Sequence, residues 1–252
     1  MKIDIPILNK KFTIIEPSFN DYKNLVKQLQ STDEDEVFEN FLNQHVKNQS
    51  TNVLEKFLLL LNLRGLVLGN KFELELEKKQ YAIDINEILE VFETEHENLK
   101  IEKNGYIYNF GFVKDFKDLK LNKLEFIARS LTKINEKDIK DLDIDDIVNL
   151  LPALEFNELY EKIYTTFYSK FIEYKFLEAK IYLGNSLGLI KAMFDTNLLD
   201  LYKLEYICRK NLNFTSSDFD NMSLPESRIL LNYHNEDVKK ENERYEKLRK
   251  QN

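Results

Sequence analysis

Along residues 2–16 apolar and polar positions alternate: Ile3, Ile5 and Ile7 share one side, and Phe12 and Ile14 follow after Asn9-Lys10. Period-two alternation puts successive side chains on opposite faces of a strand, so this segment predicts a two-stranded ribbon turning at Asn9-Lys10. After Pro17-Ser18 the period changes. Phe19, Tyr22, Leu25, Val26 and Leu29 recur at spacings of three and four, one face of a helix. Ser31-Thr-Asp-Glu34 has the form of a capping box for a second helix, with Val37, Phe38, Phe41 and Leu42 turned inward. A third helix is expected from about Asn52 to Leu63. Its run Phe57 to Leu61 is apolar all round, which predicts the most buried element of the first third.

At Gly69 the pattern returns to period two. Phe72, Leu74 and Leu76 alternate with Glu73, Glu75 and Glu77, a strand with one wet face. Tyr81, Ile83 and Ile85 repeat it, and Asn86 to Phe92 reads as a short helix. Leu99 and Ile101 lead into Asn104-Gly105, a tight-hairpin signal, after which Tyr106, Tyr108, Phe110 and Phe112 line one strand face. Four aromatics at period two are read as packing. The alternative, a base- or sugar-stacking platform, lacks interleaved basic residues within Tyr106–Val113.

Beyond Asn122 helical periods dominate, over about 122–134, 144–151, 155–170, 186–195, 198–210 and 224–250. The stretch 171–183 fits helix or strand equally. The last helix opens at Ser223, with Pro225 in its first turn and Glu226 completing a capping box. From Glu236 onward it is charged throughout, with Glu236–Lys240, Glu243–Lys247 and Glu246–Lys250 at i,i+4. That end has little to bury and is expected to project. The fold class is therefore α+β, mainly helical, with an N-terminal β-ribbon and a small antiparallel β segment inserted after the first helices. Three segments are expected: 1–68, ribbon and helices; 69–118, the β part; 119–252, helices ending in the charged projection.

Composition narrows the function. The chain has 36 basic and 44 acidic residues, net −8, and no basic stripe, which argues against nucleic acid as a partner. The most apolar stretch, Phe57 to Leu68, is broken by Asn62, Arg64 and Gly65 and is too short to span a bilayer, so no membrane is expected. Met1 to Ile15 alternates instead of forming an apolar block, so no signal peptide is expected there. A single cysteine, Cys208, cannot close an internal disulfide and suits a reducing compartment as a core thiol. His45, His96 and His234 stand apart, without a second His or Cys at ligand spacing. Asp141, Asp143, Asp145 and Asp146 suggest a calcium loop, but its sixth and twelfth positions fall on Asp146 and Pro152 instead of Gly and Glu. Gly184–Gly188 lacks the Lys-Ser/Thr of a phosphate loop, and no Gly-x-Ser-x-Gly elbow occurs. No catalytic, cofactor-binding or metal-ligating residue is assigned.

The order of elements resembles the baseplate hub subunit family of contractile-tailed, T-even-like bacteriophages, loosely and over nearly the whole chain. Leu60-Leu-Asn-Leu-Arg64-Gly-Leu-Val-Leu-Gly69 stands where that family has an apolar run and an Arg-containing turn ending in Gly. The β segment 70–116, the acidic Asp141–Ile147 and Leu159–Phe167 follow in the family's order, as does the Tyr-rich Tyr202-Lys-Leu-Glu-Tyr206. Phe219-Asp-Asn-Met222-Ser-Leu-Pro225-Glu-Ser-Arg228 matches its closing turn and helix start, with Pro225 one position late and Ser227 in place of an Arg. The resemblance implies a non-enzymatic baseplate hub component or hub-assembly factor that works by protein–protein interaction with other phage tail proteins, or as a homo-oligomer. Its place would be the host cytoplasm during assembly and the tail baseplate of the virion. Met222, Pro225, Glu226, Arg228, Tyr233 and Tyr245 are the candidate contact residues. The alternatives are a soluble tail-assembly chaperone absent from the mature particle, and an enzyme with an unrecognised site.

Overall fold

A computed structural model of the chain describes residues 1–47, 51–76, 79–92, 99–103, 105–135, 137–138, 156–169, 171–174, 179–183 and 186–251. Strands β1 (Lys2–Ile7) and β2 (Lys10–Ile15) form the N-terminal ribbon. Ile7 pairs with Lys10, so the turn lies at Leu8-Asn9, one residue earlier than the alternation suggests, with Leu8 at φ 52. Ile3 faces Ile14 and Ile5 faces Phe12 across the ribbon, and a two-residue strand β3 (Val46–Lys47) joins its edge.

Helix α1 (Phe19–Gln28) starts at Ser18, whose hydroxyl accepts from the Asp21 N–H while Asp21 reaches back to the Ser18 N–H. The expected box at Ser31 and Glu34 does not form. The N–H groups of Ser31 and Thr32 both donate to the Gln28 carbonyl, prolonging the turn that closes α1, and α2 (Glu34–His45) is preceded by Asp33 instead. Helix α3 (Val53–Leu68) is one turn longer than expected, opened by a reciprocal Asn52–Glu55 box and ended at Gly69, φ 84. It buries twelve of its sixteen residues, which makes it the axis of the fold. Each buried leucine contributes about 2 kcal/mol of transfer free energy.

Strands β4 (Lys71–Leu76) and β5 (Lys79–Asp84) pair antiparallel, and α4 (Ile85–Phe92) packs back on α3. Strands β6 (Leu99–Lys103) and β7 (Tyr106–Phe110) form the second hairpin, with Lys103 opposite Tyr106 and Gly105 at φ 78. Tyr108 and Phe110 are buried and Phe112 is half-buried against Phe167 and Tyr168, at 5.1 and 5.5 Å between rings. This face is packed over, with only Tyr106 open at its rim.

The helix expected over 122–134 is two elements: α5 (Lys123–Ser130) and a strand β8 (Leu131–Ile134) that pairs with β7. β9 (Lys137–Asp138) completes a four-stranded sheet in the order β6-β7-β8-β9. The expected helix at 144–151 and the aspartates Asp141–Asp146 lie outside the described residues. Helix α6 (Phe156–Phe167) packs on α5, and the ambiguous 171–183 stretch contains a hairpin, β10 (Phe171–Tyr174) with β11 (Ala179–Tyr182). Four helices close the chain: α7 (Ser186–Phe194), α8 (Leu198–Leu212), α9 (Ser216–Asn221) and α10 (Leu224–Gln251). The fold is α+β and mainly helical, with small antiparallel sheets. One hydrophobic core runs from Ile7 to Leu224.

Candidate protein interface

The C-terminal helices rest on α1. Lys23 of α1 bonds the Glu205 carboxylate of α8 at 2.6 Å, and Arg209 grips the same carboxylate at 2.7 and 3.0 Å. Burial pushes the Glu205 carboxyl up, but the bonds from Lys23 and Arg209 outweigh it and hold it below the usual carboxylate range. Phe19 and Phe219 pack tilted, 5.0 Å between ring centres, and Arg209 lies over the Phe219 ring. Tyr22 extends from α1 to α7, where its hydroxyl donates to the Phe194 carbonyl at 3.0 Å. α8 is held by its inner side chains Leu201 and Cys208, both buried. Burial raises the Cys208 thiol pKa, as suits a core thiol.

This anchoring leaves the other side of α8 bare. Leu199, Tyr202 and Tyr206 fall three and four residues apart, half a helical turn around from Leu201 and Cys208. Tyr206 is 62% exposed. Lys210 stands over the Tyr206 ring and Lys23 over that of Tyr202.

α10 begins at a tight junction. The Glu226 carboxylate accepts from the Ser223 N–H at 2.8 Å, and the Phe19 N–H of α1 donates to the Met222 carbonyl at 2.7 Å. Ser223, Leu224 and Ser227 are buried, and the Ser227 hydroxyl returns a bond to the Leu224 carbonyl. Only the first turns of α10 are covered, by α1, α3 and α8. Ile229 and Tyr233 point outward, and every residue from Asn235 to Glu246 is exposed. At 1.5 Å per residue the twelve exposed residues Asn235–Glu246 alone overhang by about 18 Å. The expected Glu236–Lys240 pair is replaced by Lys240–Asp237 at 3.4 Å, exposed and worth little. The Glu243–Lys247 and Glu246–Lys250 pairings fall on side chains outside the described set.

Of the eleven large apolar side chains exposed among the described residues, eight lie on α8 and α10. The candidate residues divide between two roles. Met222, Pro225 and Glu226 sit at the junction and direct the helix; Arg228, Tyr233 and Tyr245 are exposed on it. The α8 stripe, with Ile229, Leu230 and Val238, was not among the candidates. Its sequence signal is apolar residues on both sides of helices that have only one core to face.

Two polar clefts lie elsewhere. One, of about 490 Å³, is walled by Asp33, Asp35, Glu36, Glu39 and Asp115, with Lys56 ion-paired to Glu39 and Asp115 beside it. The other, of about 630 Å³, is lined by amides of α1 and α2 and by His45. His45 Nδ1 donates to the Ile15 carbonyl at 3.1 Å, and its Nε2 has no hydrogen bond, with Asp21 4.0 Å away. Among the described residues no group of three His, Cys, Asp or Glu side chains could hold a metal ion, and no helix is long and apolar enough to cross a membrane. No family model, curated protein or solved structure matches the chain.

Proposed function

We propose that this chain is a non-enzymatic component or assembly factor of a contractile phage-tail baseplate hub, and that it acts by presenting the α8–α10 face to neighbouring proteins. The observation that carries the binding reading is the concentration of exposed apolar side chains on those two helices. Exposed apolar patches of this kind mark interaction surfaces. An overhanging helix fixed at one end by a capped junction is a suitable arm for ordering a neighbour, because its direction is set by the body. The assignment to a phage tail rests on the order of elements and on Phe219 to Arg228.

The chain would act in the host cytoplasm while tails assemble. Tagged chain in a phage-infected lysate should retain tail gene products, and Tyr206→Lys together with Tyr233→Lys should release them. Mass spectrometry of purified particles separates a hub subunit, present in the particle, from an assembly chaperone, which is absent. Retention of no tail protein by the unaltered chain would overturn the reading.

A further inference from the structure

The stripe of α10 that faces the body does not stop where the body stops. Leu224 and Leu231 occupy it seven residues apart, and Val238 and Tyr245 continue at the same spacing. Ser227, His234 and Glu241 follow three residues behind the first three. Leu224 and Ser227 are buried and Leu231 and His234 half-buried, whereas Val238 and Tyr245 are 40% and 67% exposed. A seven-residue repeat on an α-helix is the seam of a left-handed coiled coil. α10 thus uses the first part of one seam internally and offers the rest.

We infer that the offered part pairs antiparallel with the same segment of a second copy of this chain. The flanking charges choose the occupant and its direction. A parallel pair would set Glu241 against Glu241 in the seam and Asp237 against Asn242 beside it. In the antiparallel register Val238 lies beside Glu241 of the second copy, and His234 beside its Tyr245. Asp237 then faces Arg244 of the second copy, and symmetry makes that pair twice. Flank charges of opposite sign fix register and orientation in coiled coils. Two heptads bury less than the roughly 1,600 Å² of a standard interface, so the dimer belongs in the micromolar range. The inference deepens the reading of α10 as an interface and is independent of any phage partner.

Sedimentation velocity of the full chain, from low to about 100 µM, tests it. A concentration-dependent dimer is expected. D237R and R244D should each weaken it by at least about tenfold, with far-UV circular dichroism unchanged, because both side chains are exposed. D237R carries arginine at both flank positions and R244D carries aspartate at both, so an equimolar mixture should dimerise again. A parallel pair gives no such rescue. A strict monomer, single variants that dimerise like the parent, or a mixture that stays monomeric would each overturn the inference. A strict monomer that still retains tail proteins would do so while leaving the proposed function standing.

Discussion

Ser223 is 5% exposed, and its hydroxyl and N–H both meet the Glu226 carboxylate at the start of α10. Ser223→Ala keeps the helix but removes the side-chain half of this box. It should cost about 1 kcal/mol, measured by urea unfolding at neutral pH. His45 gives a pH dependence. Burial lowers its pKa from the ordinary 6.5, and Asp21 and the Ile15 carbonyl offset this only in part. The unfolded chain therefore takes up a proton at His45 before the folded chain does. The stability tied to neutral His45 is present above the unfolded value and is lost as pH falls through the folded one. The melting temperature should drop as pH falls through and below the ordinary histidine value of about 6.5, and His45→Gln should lose most of that drop. The Ser223 cap was legible in the sequence because its bonds are local, whereas the equally local boxes at Ser18 and Asn52 were not singled out and the one expected at Ser31 does not form. Lys56 and Arg64 were not legible either. Both lie in or beside the apolar stretch of α3, and what makes them tolerable is remote: Glu39 and Asp115 for Lys56, the Met193 carbonyl for Arg64.

Elements were readable where one face decides them. The ribbon and α1 follow their apolar periods, whereas α3, apolar all round, was readable from its run and continues past the expected Leu63 to the glycine that opens the next pattern. Gly69 has φ 84, a conformation unfavourable to any residue with a Cβ, so Gly69→Ala should destabilise by about 1 kcal/mol or more in thermal melts. The boundary at Ser130 was not readable. Leu131–Ile134 is too short to show a period, and it becomes a strand because β7 offers it an edge, with Phe110 opposite Leu131. The 171–183 hairpin was ambiguous for the same reason. The overhang of α10, by contrast, follows from its charge. Deleting residues 239–252 removes Lys239 to Glu246, all exposed, with the residues beyond, and should leave the melting temperature within a degree or so while weakening partner capture. Misfolding of the truncated chain would show that the segment belongs to the core.

At the scale of the molecule, a core built around α3 carries a C-terminal pair of helices locked onto α1 at Lys23–Glu205 and at Met222–Phe19. Eight of the eleven exposed large apolar side chains among the described residues lie on that pair, and the acidic net charge suits protein partners better than nucleic acid. A mobility-shift assay at low salt should show no binding at micromolar chain, as no basic stripe is present to displace counterions. The exposed apolar face of α8 and α10 was half legible from the sequence: the projecting end of α10 could be read from its charge, but the α8 stripe follows only from Leu201 and Cys208 taking the inner side. The most direct measurement of the central claim is affinity capture from phage-infected cells, comparing the unaltered chain with Tyr206→Lys/Tyr233→Lys by quantitative mass spectrometry. Tail baseplate proteins enriched on the first and lost from a second that melts at the same temperature are the expected result. Equal enrichment on both would contradict it.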